Sequence, residues 1–398
     1  MGQLSIWSFP TRIVFGAGAA KQAGAEAKRL GSKHALVVTD RGVVGAGLLA
    51  PIEASLREAG IKWTVFDGVL GNPIEANVHE GVRAFRSSGA DLVIAVGGGS
   101  PLDVGKLVRL GIHHHRPLAE YDDAIGGDQH ITANVPPMLA LPTTAGTGSE
   151  VGRSGVVTLD ASLSTLGGSA PTSGATPPNP RRKTVIFSPH LLANVAILDP
   201  ELTRSMPAFL TAATGIDALT HCLEAYVAKG DHPMADGIAL EGIRHVGRYL
   251  ERAVKHGGDL EARGGMMKAA MMGAVAFQKG LGACHSLAHP LSSEHGTHHG
   301  LANALCLPAV CAFNAEVAGT RLAEVSVLLG GEASPAGCVE AVRRLRDRLG
   351  LPGTLSQAGV PRENLDRLAD LAFQDACHTS NPRPCTRDDL RALYEASF

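Results

Sequence analysis

The 398-residue sequence contains no CxxC pair, no excess of one charge sign, and no uninterrupted apolar run near the roughly 18 residues that span a bilayer. Each absence excludes something. A net charge of −2 provides no global field for nucleic acid or an anionic membrane surface, so the expected partner is a small molecule. The opening stretch MGQLSIWSFPTRIVFG lacks the basic-then-apolar layout of a secretory signal, which points to a cytoplasmic protein with no membrane association. Seven cysteines, an odd number, suit reduced thiols serving as small buried hydrophobes better than a disulfide framework.

What is present describes a folded chain. Apolar residues make up 44% and charged residues 19%, near globular values. The length exceeds one comfortable core, so two domains of roughly 150 to 200 residues are expected. Through about residue 111, β-branched runs (HALVVTD, KWTVFD, DLVIAVG) alternate with helical stretches (LLAPIEASLREAG, EANVHEGVRAFRSSG). Continuous apolar strands separated by helices imply a mostly parallel sheet covered on both faces, with ligands at the carboxyl ends of its strands. PMLALPTT, SGVVTLD and NVAILDP continue the strand pattern. The Pro/Gly/Ser/Thr-rich stretch 161–183 interrupts it and reads as an exposed inserted loop. From about residue 206 the period is helical to the end. The expected architecture is an α/β N-terminal domain with a mostly parallel sheet over 1–190 and an all-α C-terminal domain over 191–398, which the motifs below mark as the dinucleotide-binding and metal-binding domains.

Two stretches carry nucleotide chemistry. VIAVGGGSPLDVGK is a strand entering three glycines and then a helix, where backbone N–H groups and the helix N-terminus can meet a pyrophosphate. It is not GxGxxG, and such a turn is also a common structural device. A second small, hydroxyl-rich loop, PTTAGTGSE, follows a strand on the same sheet and strengthens the nucleotide reading.

The third signal is HSLAHPLSSEHGTHHG, with five histidines in sixteen positions. His285 and His289 are four apart, as are Asp217 and His221 in GIDALTH, and that spacing stacks side chains on one helix face. His299 can complete a set with Asp217, His221 and His285. Three imidazoles and a carboxylate suit Fe(II) or Zn(II), not the oxygen-preferring Ca(II) or Mg(II). His295 and His298 read as solvent-facing neighbours, and His113 to His115 as complements to a helix C-terminus.

GGGSPLDVGK, PTTAGTGSEV, GIDALTHCLEAY and HSLAHPL followed by HHGLANAL resemble the iron-containing (group III) alcohol dehydrogenases, in the same order across nearly the whole chain. The resemblance implies an active site in a cleft between the two domains. It implies metal ligands at Asp217, His221, His285 and His299, and a second cleft histidine at His289. It also implies nucleotide contacts from Asp40, Asn72, Gly98, Gly99, Ser100, Asp103, Thr143, Thr144, Thr147 and Lys183. An acidic Asp40 at the end of the second strand would bind a ribose 2′-hydroxyl and repel a 2′-phosphate, favouring NAD over NADP. Dimers or larger homo-oligomers are implied, with SIWSFPTRIVFG as a pairing edge. Within the family, AFQKGLGACHSLAHPL and CHTSNPR resemble the 4-hydroxybutyrate dehydrogenase subgroup.

The expected chemistry is alkoxide stabilisation by the metal and hydride transfer to nicotinamide. His289 reads either as a proton relay to solvent or as a hydrogen-bonding support for the ligands. Lys279 and Arg153 are candidate cations for a substrate carboxylate, or else partners in ordinary salt bridges. A dehydroquinate-synthase-type lyase would need many basic residues near the metal, whereas GLGAC and SLAHPL are small and apolar. A maleylacetate reductase and a non-enzymatic nucleotide or metal sensor are the remaining alternatives.

Overall fold

The computed structural model describes residue 9, residues 11–160 and residues 181–398. Among the described residues eight strands form: β1 (Arg12–Phe15), β2 (His34–Val38), β3 (Lys62–Phe66), β4 (Leu92–Gly97), β5 (Met138–Pro142), β6 (Ser154–Asp160), β7 (Arg181–Phe187) and β8 (Val195–Leu198). Six of them make one all-parallel sheet in the order β1-β8-β5-β4-β2-β3, and β6 pairs antiparallel with β7. Helices α1 (Ala23–Arg29), α2 (Arg41–Gly45), α3 (Ala50–Ala59), α4 (Glu75–Ser88) and α5 (Gly99–His113) connect the strands.

The strand sequences are apolar throughout because both faces of the sheet are covered. Ala35, Val37, Ile94, Val96 and Leu141 point to one core, shared with Ile52 and Leu56 of α3. Leu36, Val38, Val93, Ala95 and Ala140 point to the other, shared with Val82 and Phe85 of α4 and Leu107 of α5. This is the pattern that a doubly covered parallel sheet imposes.

The second compact unit is helical: α6 (Ala208–Val227), α7 (Pro233–Lys255), α8 (Leu260–Ala276), α9 (Ala283–His295), α10 (His299–Leu328), α11 (Pro335–Arg348), α12 (Leu365–Gln374) and α13 (Arg387–Glu395). Every residue of α6 from Thr211 to Val227 is buried, so this helix is enclosed on all sides. Helix α10 is long and apolar enough to cross a membrane by length and composition, but 72% of its apolar window is buried within the fold, as in a core helix. All seven cysteines are free thiols and five are buried.

Two expectations need correction. The α/β unit continues to Leu202, and the helical unit comprises Thr203–Phe398 with the short segment Thr144–Gly148. A division at residue 190 would cut β8 from the sheet in which it pairs with both β1 and β5. Of the insertion expected over 161–183, residues 161–180 lie outside the described residues, while the last three belong to β7, where Lys183 pairs with Thr158.

Candidate metal centre and nucleotide loops

Three helices of the helical unit bring donor atoms together. On α6, Asp217, His221 and Glu224 recur at helical spacing along one buried face. Helix α9 carries His285 and His289, and α10 carries His299 and Asn303. Around Asp217 Oδ1 stand His299 Nε2 at 3.5 Å, His285 Nε2 at 3.8 Å and His221 Nε2 at 3.9 Å. The ligand-type atoms of Asp217, His221 and His285 all lie within 4.8 Å of one another. Bonds of ~2.1 Å to a common tetrahedral centre would place donors roughly 3.4 Å apart, close to these separations.

Glu224 determines what faces that centre. This carboxylate, 1% exposed, accepts the Cys284 N–H at 2.6 Å on one oxygen and the His285 Nδ1–H at 2.6 Å on the other. Fixing the proton on Nδ1 turns the Nε2 lone pair of His285 toward Asp217. A ring of lone pairs around a buried carboxylate lacks a positive charge among its donors, and a divalent ion fits that need. Burial opposes charge on Asp217, but the imidazoles and the Asn303 amide outweigh it and hold the carboxyl at about 2. Burial takes His221 down to about 4 against the attraction of Asp217, leaving a neutral ring with a lone pair to donate. For His285, burial is outweighed by Glu224, which raises the imidazole's basicity. Asn303 donates to Asp217 Oδ1 at 2.8 Å.

The approach of the helices depends on glycine. A Cβ on Gly300, next to His299, would sit 2.1 Å from the Ala213 carbonyl oxygen, and one on Gly273 of α8 would sit 2.8 Å from His221 Cβ. His289 lies beside the four. Its ring stacks on His299 at 5.3 Å between centroids, and its Nδ1 is 2.7 Å from Asp375 Oδ2. His295 and His298, expected to face solvent, are half-buried, and His298 packs edge-on against Phe209.

In the α/β unit, Gly97 at the end of β4 has φ 152° with Pro101 where a side chain would go, and Gly98 caps α5 without a side-chain hydrogen bond. The first N–H groups of α5, from Gly99 and Ser100, are therefore not capped by a side chain of Gly98, as an anion site requires. Ser100 Oγ donates to the Gly71 carbonyl at 2.7 Å, tying this turn to exposed Asn72. Thr143 N–H bonds the Gly97 carbonyl at 2.9 Å, so the ends of β4 and β5 are joined. Asp40 caps α2 by accepting the Val43 N–H at 2.9 Å with one oxygen, and its other oxygen has no partner among the described residues.

Asp103 is placed differently from the expectation. Its carboxylate accepts from Ser149 Oγ at 2.6 Å and from the Val156 N–H at 3.1 Å, and it lies 3.6 Å from fully buried Lys106. Those contacts make it an internal clamp between α5 and β6. Burial pushes the Lys183 ammonium down while Asp103 pulls it up, so Lys183 belongs to the same internal cluster. Thr144 and Thr147 are half-buried in the segment Thr144–Gly148 that belongs to the helical unit, where a Cβ at Gly146 would meet Thr214 at 2.7 Å, and one at Gly148, with φ 62°, would meet Ala274 at 2.3 Å. These glycines serve helix contact as well as any phosphate.

Of the two candidate substrate cations, Lys279 is engaged internally. Lys279, with its side chain 2% exposed, bonds Asp236 and the Tyr226 carbonyl, and Asp236 also pairs with Arg321 at 2.8 Å. This buried bridge between segments replaces the carboxylate-binding role read from its position in the sequence. Arg153 lies over the Phe187 ring, with its guanidinium 5.4 Å from the centroid.

Sequence reasoning missed Glu224, Asn303 and Asp375. The available signals were spacing: Glu224 follows Asp217 by seven on one face, and Asn303 follows His299 by four.

Comparison with known proteins identifies the family. Residues 10–200 match the family model for iron-containing alcohol dehydrogenases, and residues 211–398 match the C-terminal model of the Fe-containing alcohol dehydrogenase family. The chain is 39% identical over 400 residues to a 4-hydroxybutyrate dehydrogenase of Cupriavidus necator, covering 98% of each protein. It superimposes on a crystal structure of 1,3-propanediol oxidoreductase with a TM-score of 0.91 at 35% identity, covering all of both chains. A sulfoacetaldehyde reductase from Bifidobacterium kashiwanohense, solved in complex with NAD+, superimposes with a TM-score of 0.87 at 28% identity over 99% of each chain. The chain belongs to the iron-containing alcohol dehydrogenase family and is an oxidoreductase acting on CH–OH donors.

Proposed function

We propose that this enzyme interconverts a short-chain primary alcohol or hydroxy acid and its aldehyde with NAD(H), the best-supported pair being 4-hydroxybutyrate and succinic semialdehyde. The observation that carries the chemistry is the convergence of His221, His285 and His299 Nε2 on Asp217 Oδ1. A divalent ion, Fe(II) or Zn(II), held by these four residues supplies Lewis-acid polarisation of the substrate oxygen, and a bound nicotinamide supplies the hydride acceptor.

The chain's own residues do the rest. Glu224 holds His285 in the tautomer that donates from Nε2. His289, held at Nδ1 by Asp375, is the group placed to carry the hydroxyl proton away, since imidazole exchanges protons near neutral pH. The Gly98–Ser100 turn and the start of α5 bind pyrophosphate, Asn72, Thr143, Thr144 and Thr147 line the nucleotide loops, and Asp40 selects the 2′-hydroxyl of NAD. The substrate pair is supported by the AFQKGLGACHSLAHPL and CHTSNPR stretches and by the 39% identical relative. With Lys279 engaged internally, Arg153 is the cation proposed to meet a substrate carboxylate.

The test is metal-stripped protein reloaded with Fe(II) or Zn(II), given NADH or NADPH and a panel including succinic semialdehyde and butanal, followed at the nicotinamide absorbance. Metal-dependent oxidation of NADH, fastest with succinic semialdehyde, is expected. Absence of metal-dependent turnover with every short aldehyde would overturn the reading, and a preference for butanal would overturn the substrate assignment.

A further inference from the structure

A second group of donors lies beside the four ligands. His289, Asp375 and Cys377 offer an imidazole nitrogen, a carboxylate oxygen and a sulfur, all within 4.8 Å of one another and all on half-buried residues. His289 comes from α9, whereas Asp375 caps the 3-10 segment Ala376–Ser380 that follows α12, and Cys377 lies within that segment. The turn is fixed around the carboxylate. Ser286 Oγ donates to Asp375 Oδ1 at 2.8 Å, the Cys377 N–H donates to the same oxygen at 2.9 Å, and the His378 N–H donates to Ser286 Oγ at 2.8 Å. Asp375 Oδ2 is thereby the oxygen turned toward His289 Nδ1, 2.7 Å away. Mixed nitrogen, oxygen and sulfur donors suit a thiophilic borderline ion, and three protein ligands leave a fourth position for water.

We propose that His289, Asp375 and Cys377 form a second divalent-metal site, selective for ions of the Zn(II) and Cd(II) type, whose occupation immobilises the His289 ring and inhibits the enzyme. The ion replaces the proton between His289 Nδ1 and Asp375 Oδ2 and opens that 2.7 Å gap to the roughly 3.4 Å that two donors of one tetrahedral ion require, and the neutral ring then carries its N–H on Nε2. The Cys377 thiol loses its proton to solvent as the sulfur ligates. Burial and the adjoining Asp375 hold that thiol well above the ordinary range, so proton release accompanies binding. The binding claim rests on geometry alone, and the inhibition rests on the relay role proposed for His289.

Cd(II) titration of the full chain tests both parts. Sulfur ligation produces a thiolate-to-cadmium charge-transfer band in the ultraviolet, and the Asp217 centre, which contains no sulfur ligand, is silent in this assay. The expected result is a band saturating at one Cd(II) per chain, displaced by Zn(II) and absent from Cys377→Ser. In turnover assays, Cys377→Ser should keep the wild-type rate and lose the inhibition by excess Zn(II). No band, or a band retained in Cys377→Ser, overturns the site. Full turnover by wild-type protein whose band shows the site filled overturns the inhibition. The band is read without substrate, so a failure of the dehydrogenase reading leaves it measurable.

Discussion

Glu224→Gln tests the metal centre with little change of shape. In the wild type both carboxylate oxygens accept, one from the Cys284 N–H and one from the His285 Nδ1–H, each at 2.6 Å. Glutamine has one oxygen. If it keeps Cys284, its NH2 confronts the His285 Nδ1–H, donor against donor, and the ring is driven to carry its proton on Nε2. That proton then points at Asp217 and occupies the lone pair the metal needs. If the oxygen turns to His285 instead, the first turn of α9 loses its acceptor, a cost of about 1 kcal/mol by analogy with lost caps. The second arrangement leaves the buried Cys284 N–H facing the glutamine NH2, an unmatched donor worth roughly 1–3 kcal/mol. Removal of such an outer partner weakens metal binding by roughly 10- to 100-fold, or about 1.4–2.7 kcal/mol. Competition with a chromophoric chelator for Zn(II) measures this directly, with NADH fluorescence reporting the integrity of the nucleotide loops. A variant that binds Zn(II) within about twofold of wild type and also keeps the wild-type melting temperature, so that neither arrangement has had its cost, would refute the argument that Glu224 sets the His285 tautomer.

Three further outcomes are expected. Gly300→Ala places a methyl 2.1 Å from the Ala213 carbonyl oxygen, so α10 must move off α6 and take His299 with it; Zn(II) affinity should fall at least roughly tenfold, about 1.4 kcal/mol, and unchanged affinity with an unchanged melting temperature would contradict it. Asp40→Ala removes the carboxylate expected to repel a 2′-phosphate, so the NADP-to-NAD ratio of kcat/KM should rise roughly tenfold or more; loss of the cap on Val43 should also cost about 1 kcal/mol in thermal stability. Glu150 in the α/β unit is pushed up from 4.5 to about 7, chiefly by burial and against the pull of Lys106. Between those values the folded protein keeps a proton that the unfolded chain has released, so this group lowers stability as pH rises from about 4.5 to about 7. Glu150→Gln should remove that dependence, raising stability near pH 8 relative to pH 5 by on the order of 3 kcal/mol in denaturant titrations, and parallel pH curves for the two proteins would count against it.

The parallel sheet was legible because burial on both faces demands apolar side chains at every position, and HALVVTD and DLVIAVG satisfy that locally. Strand order was not. β8 is last in the chain yet sits second in the sheet, between β1 and β5, and no local pattern records a pairing between segments so far apart. The start of β7 was hidden for a related reason. Arg181, Arg182 and Lys183 follow a Pro/Gly/Ser/Thr-rich run and carry no apolar alternation, and only their antiparallel register with β6 makes them a strand.

The metal centre was legible to the extent that it is written as spacing. Four-residue separations place Asp217 with His221, and His285 with His289, on shared helix faces, whereas His299 stands at no such spacing from another proposed ligand. Lys279 could not be judged in the same way, because its partners Asp236 and Arg321 reach it only through tertiary packing. Spacing also cannot say whether three helices come close enough for their donors to meet. That is decided by residues with no side chain: Gly300 against Ala213 and Gly273 against His221. In the sequence each looks like a weak point, since glycine costs a helix interior about 1 kcal/mol relative to alanine. In the fold, Gly300 lets α10 press against α6 until His299 Nε2 stands 3.5 Å from Asp217 Oδ1, and Gly273 lets α8, which carries no ligand, pack behind His221.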